Sequence, residues 1–199
     1  MAEETRETKK KAADEKPPGV TLSLNVDGHG KAEIHTGVGF LDHMLKVFAE
    51  HGLFDLTVEA KDDPSLGAYR VTEQVGSYLG EVLRKSTDLR DKYSRYGAAV
   101  VPTDDALVMV SIDIAGRGYC SFDLDLKKVK IQDFETEAVE DFFRAAAAKA
   151  GMTVHIKQMA GKNTYHLIES AFKAFGRALD AALTLDERVE GRPARKGVV

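Results

Sequence analysis

The sequence predicts an α+β protein built from two similar halves, each with strands, a helix, another strand and a second helix. Segments in which apolar and polar side chains alternate, as in half-buried strands, are interleaved with segments whose apolar residues recur every three or four positions, as on one face of a helix. The same order of segments then occurs a second time. We therefore expect sheets with two helices packed on one face and an internal duplication.

The first half, about residues 17–93, is predicted to follow a charged N-terminal arm. Residues 1–16 contain almost no large apolar side chain, so we expect them to be flexible, and Pro17-Pro18 marks the start of the folded part, residues 17–199. Asp27-Gly28 predicts a turn between the first two strands. Strands are predicted at Val20–Val26, Lys31–Thr36 and Phe54–Ala60, and helices at Phe40–Glu50 and Tyr69–Leu83.

The second half, about residues 94–199, shows the same patterns. Alternation predicts strands at Tyr96–Val101, Ala106–Ile114, Gly118–Leu126 and Met152–Lys157. An alanine-rich segment without proline and a long amphipathic segment predict helices at Thr136–Ala150 and Thr164–Leu183.

The second helix of each half opens with similar residues. One opens with Tyr69-Arg70-Val71-Thr72-Glu73 and the other with Tyr165-His166-Leu167-Ile168-Glu169. In both, an aromatic residue precedes a nitrogen-bearing side chain, and a glutamate follows three positions later. Side chains three apart lie on one helix face, so His166 and Glu169 are expected to be neighbours. The shared context favours duplication over coincidence.

Composition excludes several classes of protein. A net charge of −4 argues against a nucleic-acid partner. No apolar run approaches the roughly 18 residues that span a bilayer, so we expect no membrane partner and a cytoplasmic location. The single cysteine, Cys120, allows no internal disulfide and is expected to be a small buried side chain.

Imidazoles and carboxylates are the candidate metal ligands. His43 lies in the first predicted helix, His155 points away from Val154 and Ile156 in a strand, and His166 pairs with Glu169. Each alone is typical of an ordinary surface residue, but together they could bind a divalent transition metal such as Mn²⁺. His51, beside Gly52, suits the C-terminal end of a helix, where a cation is favoured. No role is assigned to His29 or His35.

Basic residues are the candidate anion ligands. Arg117 lies between two glycines, which let a ligand approach the backbone, and Lys173 follows Glu169 by one helical turn. They could form a phosphate subsite. Solvated charges and i,i+4 ion pairs are the alternative interpretation. The full basic set is Arg95, Arg117, Lys173, Arg192, Arg195 and Lys196.

Several motifs resemble the imidazoleglycerol-phosphate dehydratase family. They are Thr36–Leu45 (TGVGFLDHML), His51–Val58 (HGLFDLTV), Pro102–Leu107 (PTDDAL), Asp113–Arg117 (DIAGR), Asn163–Arg177 (NTYHLIESAFKAFGR) and Arg192–Val199 (RPARKGVV). The resemblance implies a fold like domain 2 of ribosomal protein S5, and trimers that assemble into a homo-oligomeric shell of 24 subunits with sites between subunits. It also implies loss of water from imidazole glycerol phosphate, a step of histidine biosynthesis.

The resemblance also implies site residues. Two Mn²⁺ ions are held in the family by histidines and glutamates; the positions that match these ligands are His43, Glu73, His155, His166 and Glu169. The family has histidines where this chain has Tyr69, Arg70 and Tyr165. Glu169 and Glu73 are the candidates for acid–base catalysis, because the family's glutamate before the first strand aligns with Pro17. The matching phosphate ligands are Arg95, Arg117, Lys173 and Lys196, whereas Ala194-Arg195 replaces a serine-threonine pair.

Two functions are compatible with these residues. The first is the family's metal-dependent hydro-lyase reaction on a small phosphorylated imidazole. The alternative is a catalytically impaired or repurposed paralogue that keeps the shell assembly and the phosphate-binding pocket. The three substituted histidine positions separate the two, because a phenol of pKa about 10 and a guanidinium are poor metal ligands at neutral pH.

Overall fold

Four helices lie between two β-sheets in the part of the chain that the computed structural model describes, which is residues 19–60, 67–132, 134–191 and 193. The predicted arm, residues 1–16, lies outside these ranges. The helices are α1 (Gly39–Gly52), α2 (Ala68–Asp88), α3 (Ala138–Ala150) and α4 (Thr164–Leu183). Helix α1 packs against α4, and α2 packs against α3. None of the described helices is both long and apolar enough to cross a bilayer.

The first sheet has its last strand in the middle. Strands β1 (Val20–Asn25), β2 (Ala32–His35) and β3 (Asp55–Ala60) are ordered β1-β3-β2. Strand β3 is antiparallel to β1 and parallel to β2. The predicted turn forms at Val26-Asp27, but the two strands on either side of it do not pair with each other.

The second sheet contains the same arrangement and one more strand. It is formed by β4 (Tyr96–Thr103), β5 (Ala106–Asp113), β6 (Tyr119–Asp123) and β9 (Thr153–Ala160), in the order β4-β5-β9-β6. Strand β9 is antiparallel to β5 and parallel to β6, as β3 is to β1 and β2. The unit β5-β6-α3-β9-α4 therefore repeats β1-β2-α1-β3-α2. The predicted duplicated α+β fold is confirmed.

Most predicted elements exist, with shifted ends. Helix α4 has the predicted bounds, whereas α2 continues five residues beyond the predicted Leu83, to Asp88. Its last turn is supported by the hydroxyls of Ser86 and Thr87, which donate to the carbonyls of Val82 and Arg84 at 3.0 and 2.8 Å. The short hairpin of β7 (Lys130–Ile131) and β8 (Phe134–Glu135) is absent from the prediction, because two-residue strands show no alternation.

Two glycines allow α2 and α3 to approach closely. A Cβ atom on Gly76 would lie 2.6 Å from the carbonyl oxygen of Phe142, and one on Gly80 would lie 2.4 Å from that of Ala146. Both distances are shorter than any van der Waals contact, so only glycine fits without a shift of the backbone. The helix contact thus depends on these two positions.

Helices α1 and α3 end in the same way, as the duplication requires. Each ends at a left-handed residue, Leu53 (φ 56°) after α1 and Gly151 (φ 66°) after α3. Glycine adopts this conformation without strain, whereas leucine does so at a cost. The Leu53 side chain is 56% exposed, so burial of that side chain offsets little of the cost.

Candidate active site

The opening turn of α4 is fixed by its N-cap residue. The Asn163 side chain accepts hydrogen bonds from the backbone N–H groups of Tyr165 and His166, at 2.9 and 3.4 Å. These bonds satisfy donors that the first helical turn otherwise leaves without partners. The cap therefore fixes where the helix begins and the backbone from which the Tyr165 and His166 side chains project.

His166 lies between two aspartates of the turn that joins β4 to β5. Its Nδ1 atom is 2.7 Å from Oδ1 of Asp105, and its Nε2 atom is 3.3 Å from Oδ2 of Asp104. Asp105 also accepts the backbone N–H groups of Lys162 and Asn163, at 2.8 and 3.2 Å. The bond from Lys162, then those from His166 and Asn163, lower the pKa of Asp105 to about 2. An ionised carboxylate thus orients the imidazole, as carboxylates commonly orient metal-binding histidines.

Glu169 lies between a histidine and a lysine where α1 packs on α4. Its Oε1 atom is 3.9 Å from Nε2 of His43 and 3.1 Å from Nζ of Lys173. Nζ of Lys173 also donates to Oγ1 of Thr103 at 3.2 Å. The Glu169 and Lys173 side chains are 16% and 18% exposed, so this ion pair is partly shielded from water. The i,i+4 ion pair, which was the alternative interpretation of Lys173, is present.

His43 is positioned by α1 and lies beside an aromatic ring. Asp42, in the first turn of that helix, accepts the backbone N–H of Thr36 at 2.9 Å and so ties the helix to the preceding loop. The rings of His43 and Tyr165 are 6.3 Å apart and nearly parallel. Burial, and then the charge of Glu169, raise the pKa of Tyr165, so its phenol is protonated at neutral pH.

The opening turn of α2 has different partners from that of α4. Gly67 precedes the helix and provides no side-chain cap. The Tyr69 hydroxyl donates to the Oδ2 atom of Asp141 on α3. This hydrogen bond, followed by burial and the charges of Asp141, Glu73 and Glu137, raises the pKa of Tyr69 to about 12. Arg70 and Glu73 are exposed.

His155 lies away from these groups, on the outer face of the second sheet. As predicted, its side chain is exposed while Val154 and Ile156 are buried. Its ring centroid is 5.7 Å from that of Tyr119, on the neighbouring strand β6.

The predicted phosphate ligands are spread over the chain. Arg95 donates from Nε and Nη2 to the two carboxylate oxygens of Asp113, at 2.7 and 3.2 Å, and its guanidinium lies 4.9 Å from the ring centroid of Tyr96. The bond to Asp113 raises the pKa of Arg95. Arg117 is exposed in the loop before β6. Pro17, Ala194, Arg195 and Lys196 lie outside the described residues.

Strand β4 separates Arg95 from Lys173. Arg95 immediately precedes β4, and Lys173 contacts Thr103 at its other end, eight residues away. At roughly 3.3 Å per residue, the backbone of Arg95 lies about 26 Å from that of Thr103. A single phosphate cannot reach both cations within one chain.

A cleft of about 350 Å³ lies beside the edge strand β4 and contains none of the predicted site residues. Its charged lining residues are Glu50, His51, Arg177 and Asp180. His51 is in the last turn of α1, as predicted. Burial, and then the charges of Lys173 and Arg177, lower its pKa.

Comparison with known proteins identifies the family. A sequence profile described as imidazoleglycerol-phosphate dehydratase matches residues 36–179, which is more than half of the chain. The chain belongs to the imidazoleglycerol-phosphate dehydratase family. The imidazoleglycerol-phosphate dehydratase of Acetivibrio thermocellus is 51% identical over 180 residues, which cover 90% of this chain and 92% of that protein. That of Caldanaerobacter subterraneus subsp. tengcongensis is 47% identical over 97% of this chain and 98% of its own.

A solved structure of the family has the same fold. The crystal structure of imidazoleglycerol-phosphate dehydratase from Staphylococcus aureus superposes with a TM-score of 0.80 at 41% sequence identity, over 86% of this chain and 98% of that one. The resemblance found in the motifs is therefore confirmed along most of the chain.

The family is metal-dependent, and the residues present fit a metal ion unevenly. His43, His166 and Glu169 provide imidazole and carboxylate donors, which suit divalent transition metals. Tyr69 and Arg70 provide a protonated phenol and a guanidinium, which do not. Among the described residues, no three histidine, cysteine, aspartate or glutamate side chains form a group that could hold a metal ion. The α4 opening thus keeps two donors of the right type, His166 and Glu169, beside the protonated phenol of Tyr165, whereas the α2 opening keeps only Glu73.

The partners of the site residues could not be found by sequence reasoning. Asp104 and Asp105 were noted only as part of a motif, although they flank His166. Asp113 likewise belongs to a motif, Asp113–Arg117, but nothing in the motif indicates its contact with Arg95, 18 residues away. Asp141 has no signal, because it is one of many carboxylates and Tyr69 is 72 residues away.

Proposed function

We propose that the protein is a hydro-lyase that removes water from imidazole glycerol phosphate in histidine biosynthesis. The proposal rests on one observation, the 51% identity to a dehydratase of this name over 90% of the chain. In the reaction, a C–H bond and a C–O bond on neighbouring carbons break, a C=C bond forms, and the hydroxyl group leaves as water.

Glu169 is the carboxylate that we assign to proton transfer. Its Oε1 atom lies 3.1 Å from Nζ of Lys173 and 3.9 Å from Nε2 of His43, and these two contacts fix the position of the carboxylate that would accept the proton. Glu73 is the second candidate, and its exposure leaves it accessible to a substrate that binds across another subunit. The carboxylate of Asp105 keeps the His166 imidazole in one orientation.

Mn²⁺ is the metal that we propose for the site. The residues that would hold it are His43, Glu73, His155, His166 and Glu169. More than one copy would contribute them, because His155 lies on the outer face of the second sheet. Such an ion would stabilise negative charge that develops on the substrate when the C–H bond breaks.

The separation of Arg95 from Lys173 favours a site shared between copies. If Arg95, Arg117, Lys173 and Lys196 bind one phosphate, at least two chains must contribute, because β4 places the backbone of Arg95 about 26 Å from that of Thr103, which Lys173 contacts. The outer face of the second sheet also exposes Tyr96, Val100 and Tyr119, by 62%, 54% and 58%, and contacts between copies would bury such side chains. We therefore propose a homo-oligomer, with trimers assembling into a 24-subunit shell.

Growth of a histidine auxotroph that lacks the dehydratase tests the function. We expect this chain to restore growth without histidine, and the purified protein to consume imidazole glycerol phosphate. The Glu169→Gln variant should lose both. Failure of the wild-type chain in both assays, when it is folded and abundant, would contradict the proposal.

An alternative is a paralogue that binds the phosphorylated ligand without converting it. The observation that favours it is the α2 opening, where Tyr69 is bound to Asp141 and Arg70 replaces an imidazole. Calorimetric binding of the substrate in the absence of product formation would select this alternative. The cytoplasmic location and the two-half domain boundaries remain predictions.

A further inference from the structure

The ammonium group of Lys173 is held between a helix and a strand. Its Nζ atom lies 3.1 Å from Oε1 of Glu169, one turn earlier on α4, and donates to Oγ1 of Thr103, the last residue of β4, at 3.2 Å. In the part of the chain that the structure describes, these are the only side chains within ion-pair or hydrogen-bond distance of Nζ. Because an ammonium carries three N–H donors, at least one is left for a ligand.

A buried hydrogen bond fixes α4 against β4 next to this contact. The Ser170 hydroxyl, which is fully buried, donates to the carbonyl oxygen of Val101 at 2.5 Å. Ser170 precedes Lys173 by one helical turn, and Val101 precedes Thr103 by two residues, so that the Val101 and Thr103 side chains point to the same face of the sheet. The Thr103 hydroxyl is therefore held at a fixed distance from the Lys173 backbone.

The turn that follows β4 holds a second side chain of the same helix. Asp105, two residues after Thr103, orients the His166 imidazole at 2.7 Å. His166 and Lys173 are separated by about two helical turns and lie on one face of α4. The short segment Thr103–Asp105 thus contacts two candidate site residues of α4 at once.

We propose that Thr103 is a positioning residue, whose hydroxyl holds the Lys173 ammonium in place for the phosphate group of the substrate. A lysine side chain has several rotatable bonds, and ordering them when a ligand binds costs free energy. An ammonium that is already held from two sides loses less freedom. The inference rests on the proposed function in taking Lys173 as a ligand of a phosphorylated substrate.

A pair of Thr103 variants tests the role of the hydroxyl. Thr103→Val replaces the hydroxyl by a methyl group of similar size, and it should raise KM for imidazole glycerol phosphate by roughly tenfold, about the lower end for one hydrogen bond to a charged group. Its kcat should stay close to that of the wild type, because the phosphate does not react and is bound equally in ground and transition states. Thr103→Ser keeps the hydroxyl and should keep the wild-type KM. An unchanged KM in Thr103→Val, or an equal loss in Thr103→Ser, would overturn the proposal.

Two inhibitors distinguish a local effect from a general distortion of the site. The inhibition constant of inorganic phosphate should rise in Thr103→Val by the same factor as KM, whereas that of imidazole, which has no phosphate, should not change. An equal rise for both inhibitors would contradict a role confined to the phosphate. Thr57→Val, the same change at an exposed position of the first sheet, is the control and should alter neither constant.

A double-mutant cycle tests whether Thr103 acts through Lys173. Lys173→Met removes the ammonium, so adding Thr103→Val to this variant should raise KM no further. A second rise of similar size in the double variant would show that Thr103 acts on another group, and the proposal would fail.

Calorimetric titration with inorganic phosphate separates this inference from the proposed function. If the wild type consumes no substrate but binds phosphate, and Thr103→Val weakens that binding while Thr103→Ser does not, the inference holds and the proposed function fails. If the wild type consumes substrate and Thr103→Val leaves KM unchanged, the reverse is true. A wild type that neither consumes substrate nor binds phosphate would overturn both.

Discussion

The Nδ1 atom of His166, in the first turn of α4, lies 2.7 Å from Oδ1 of Asp105, in the turn between β4 and β5. The pair connects two segments that are 61 residues apart in the sequence. Because Asp105 also accepts hydrogen bonds from the backbone N–H groups of Lys162 and Asn163, it holds both the imidazole ring of His166 and the loop that leads into α4.

The first prediction concerns Asp105 and pH. Its pKa of about 2 in the folded protein lies below the ordinary 3.8, so the ionised carboxylate stabilises the fold above about pH 4, and the stabilisation is lost as the pH falls through about 2. Asp105→Asn should therefore lower the free energy of unfolding at neutral pH, and the difference from wild type should shrink towards about pH 2. Urea denaturation across this range measures it. Asp104→Asn, which removes a longer contact of 3.3 Å, should have the smaller effect.

The second prediction concerns the cap of α4. Asn163→Ala should destabilise the protein by about 1 kcal/mol, because two backbone N–H groups lose their acceptor. Asn163→Asp keeps an acceptor and should stay close to wild type. Chemical denaturation at neutral pH gives both values, and equal losses in the two variants would show that the side-chain acceptor is not what matters.

The third prediction uses the contact between α2 and α3. Gly80→Ala should destabilise by about 1–3 kcal/mol, although alanine is the better helix former, because the added Cβ would lie 2.4 Å from the carbonyl oxygen of Ala146. Gly39→Ala is the control, since its Cβ would have only the Gln132 Oε1 atom nearby, at 3.6 Å. Thermal unfolding compares them. A stabilised Gly80→Ala protein would mean that the helices can move apart without penalty.

The fourth prediction compares the two equivalent helix ends. Leu53→Gly should stabilise the protein by about 1 kcal/mol, because the left-handed backbone no longer strains a side chain that is mostly exposed. Gly151→Ala should do the opposite, since the new Cβ would also lie 2.8 Å from Nη1 of Arg84. Their melting temperatures should therefore move in opposite directions from that of the wild type.

The sequence was sufficient for all the described helices and for the longer strands, but not for the β7–β8 hairpin or for the order of the strands in the sheets. Periodicity located α4 at Thr164–Leu183, because a long amphipathic helix carries its pattern over many turns. The turn at Asp27 does not indicate that β3 lies between β1 and β2, because the order of the strands depends on hydrogen bonds with β3, which follows α1 in the sequence.

In the site, too, contacts between residues close in sequence could be predicted, whereas contacts between distant residues could not. The Glu169–Lys173 pair follows from their i,i+4 spacing on one helix, and the structure contains it. The contacts of Tyr69 with Asp141 and of Arg95 with Asp113 depend on packing of helices and strands, which no local pattern encodes. Arg95 and Lys173 share a positive charge and a match to the family's phosphate ligands, and neither property reveals the strand that separates them within one chain.

The central position of β3 and β9 also constrains how the chain folds during synthesis. Strands β1 and β2 leave the ribosome first but have no pairing partner until β3 follows them, after α1. In the second half β5 pairs with β4, but its other edge and β6 wait for β9. Each sheet thus closes in a single late step, when its third strand enters between two that are already made. Until then four unpaired strand edges, two in each half, are exposed to other nascent chains, which is the interval in which aggregation competes with folding.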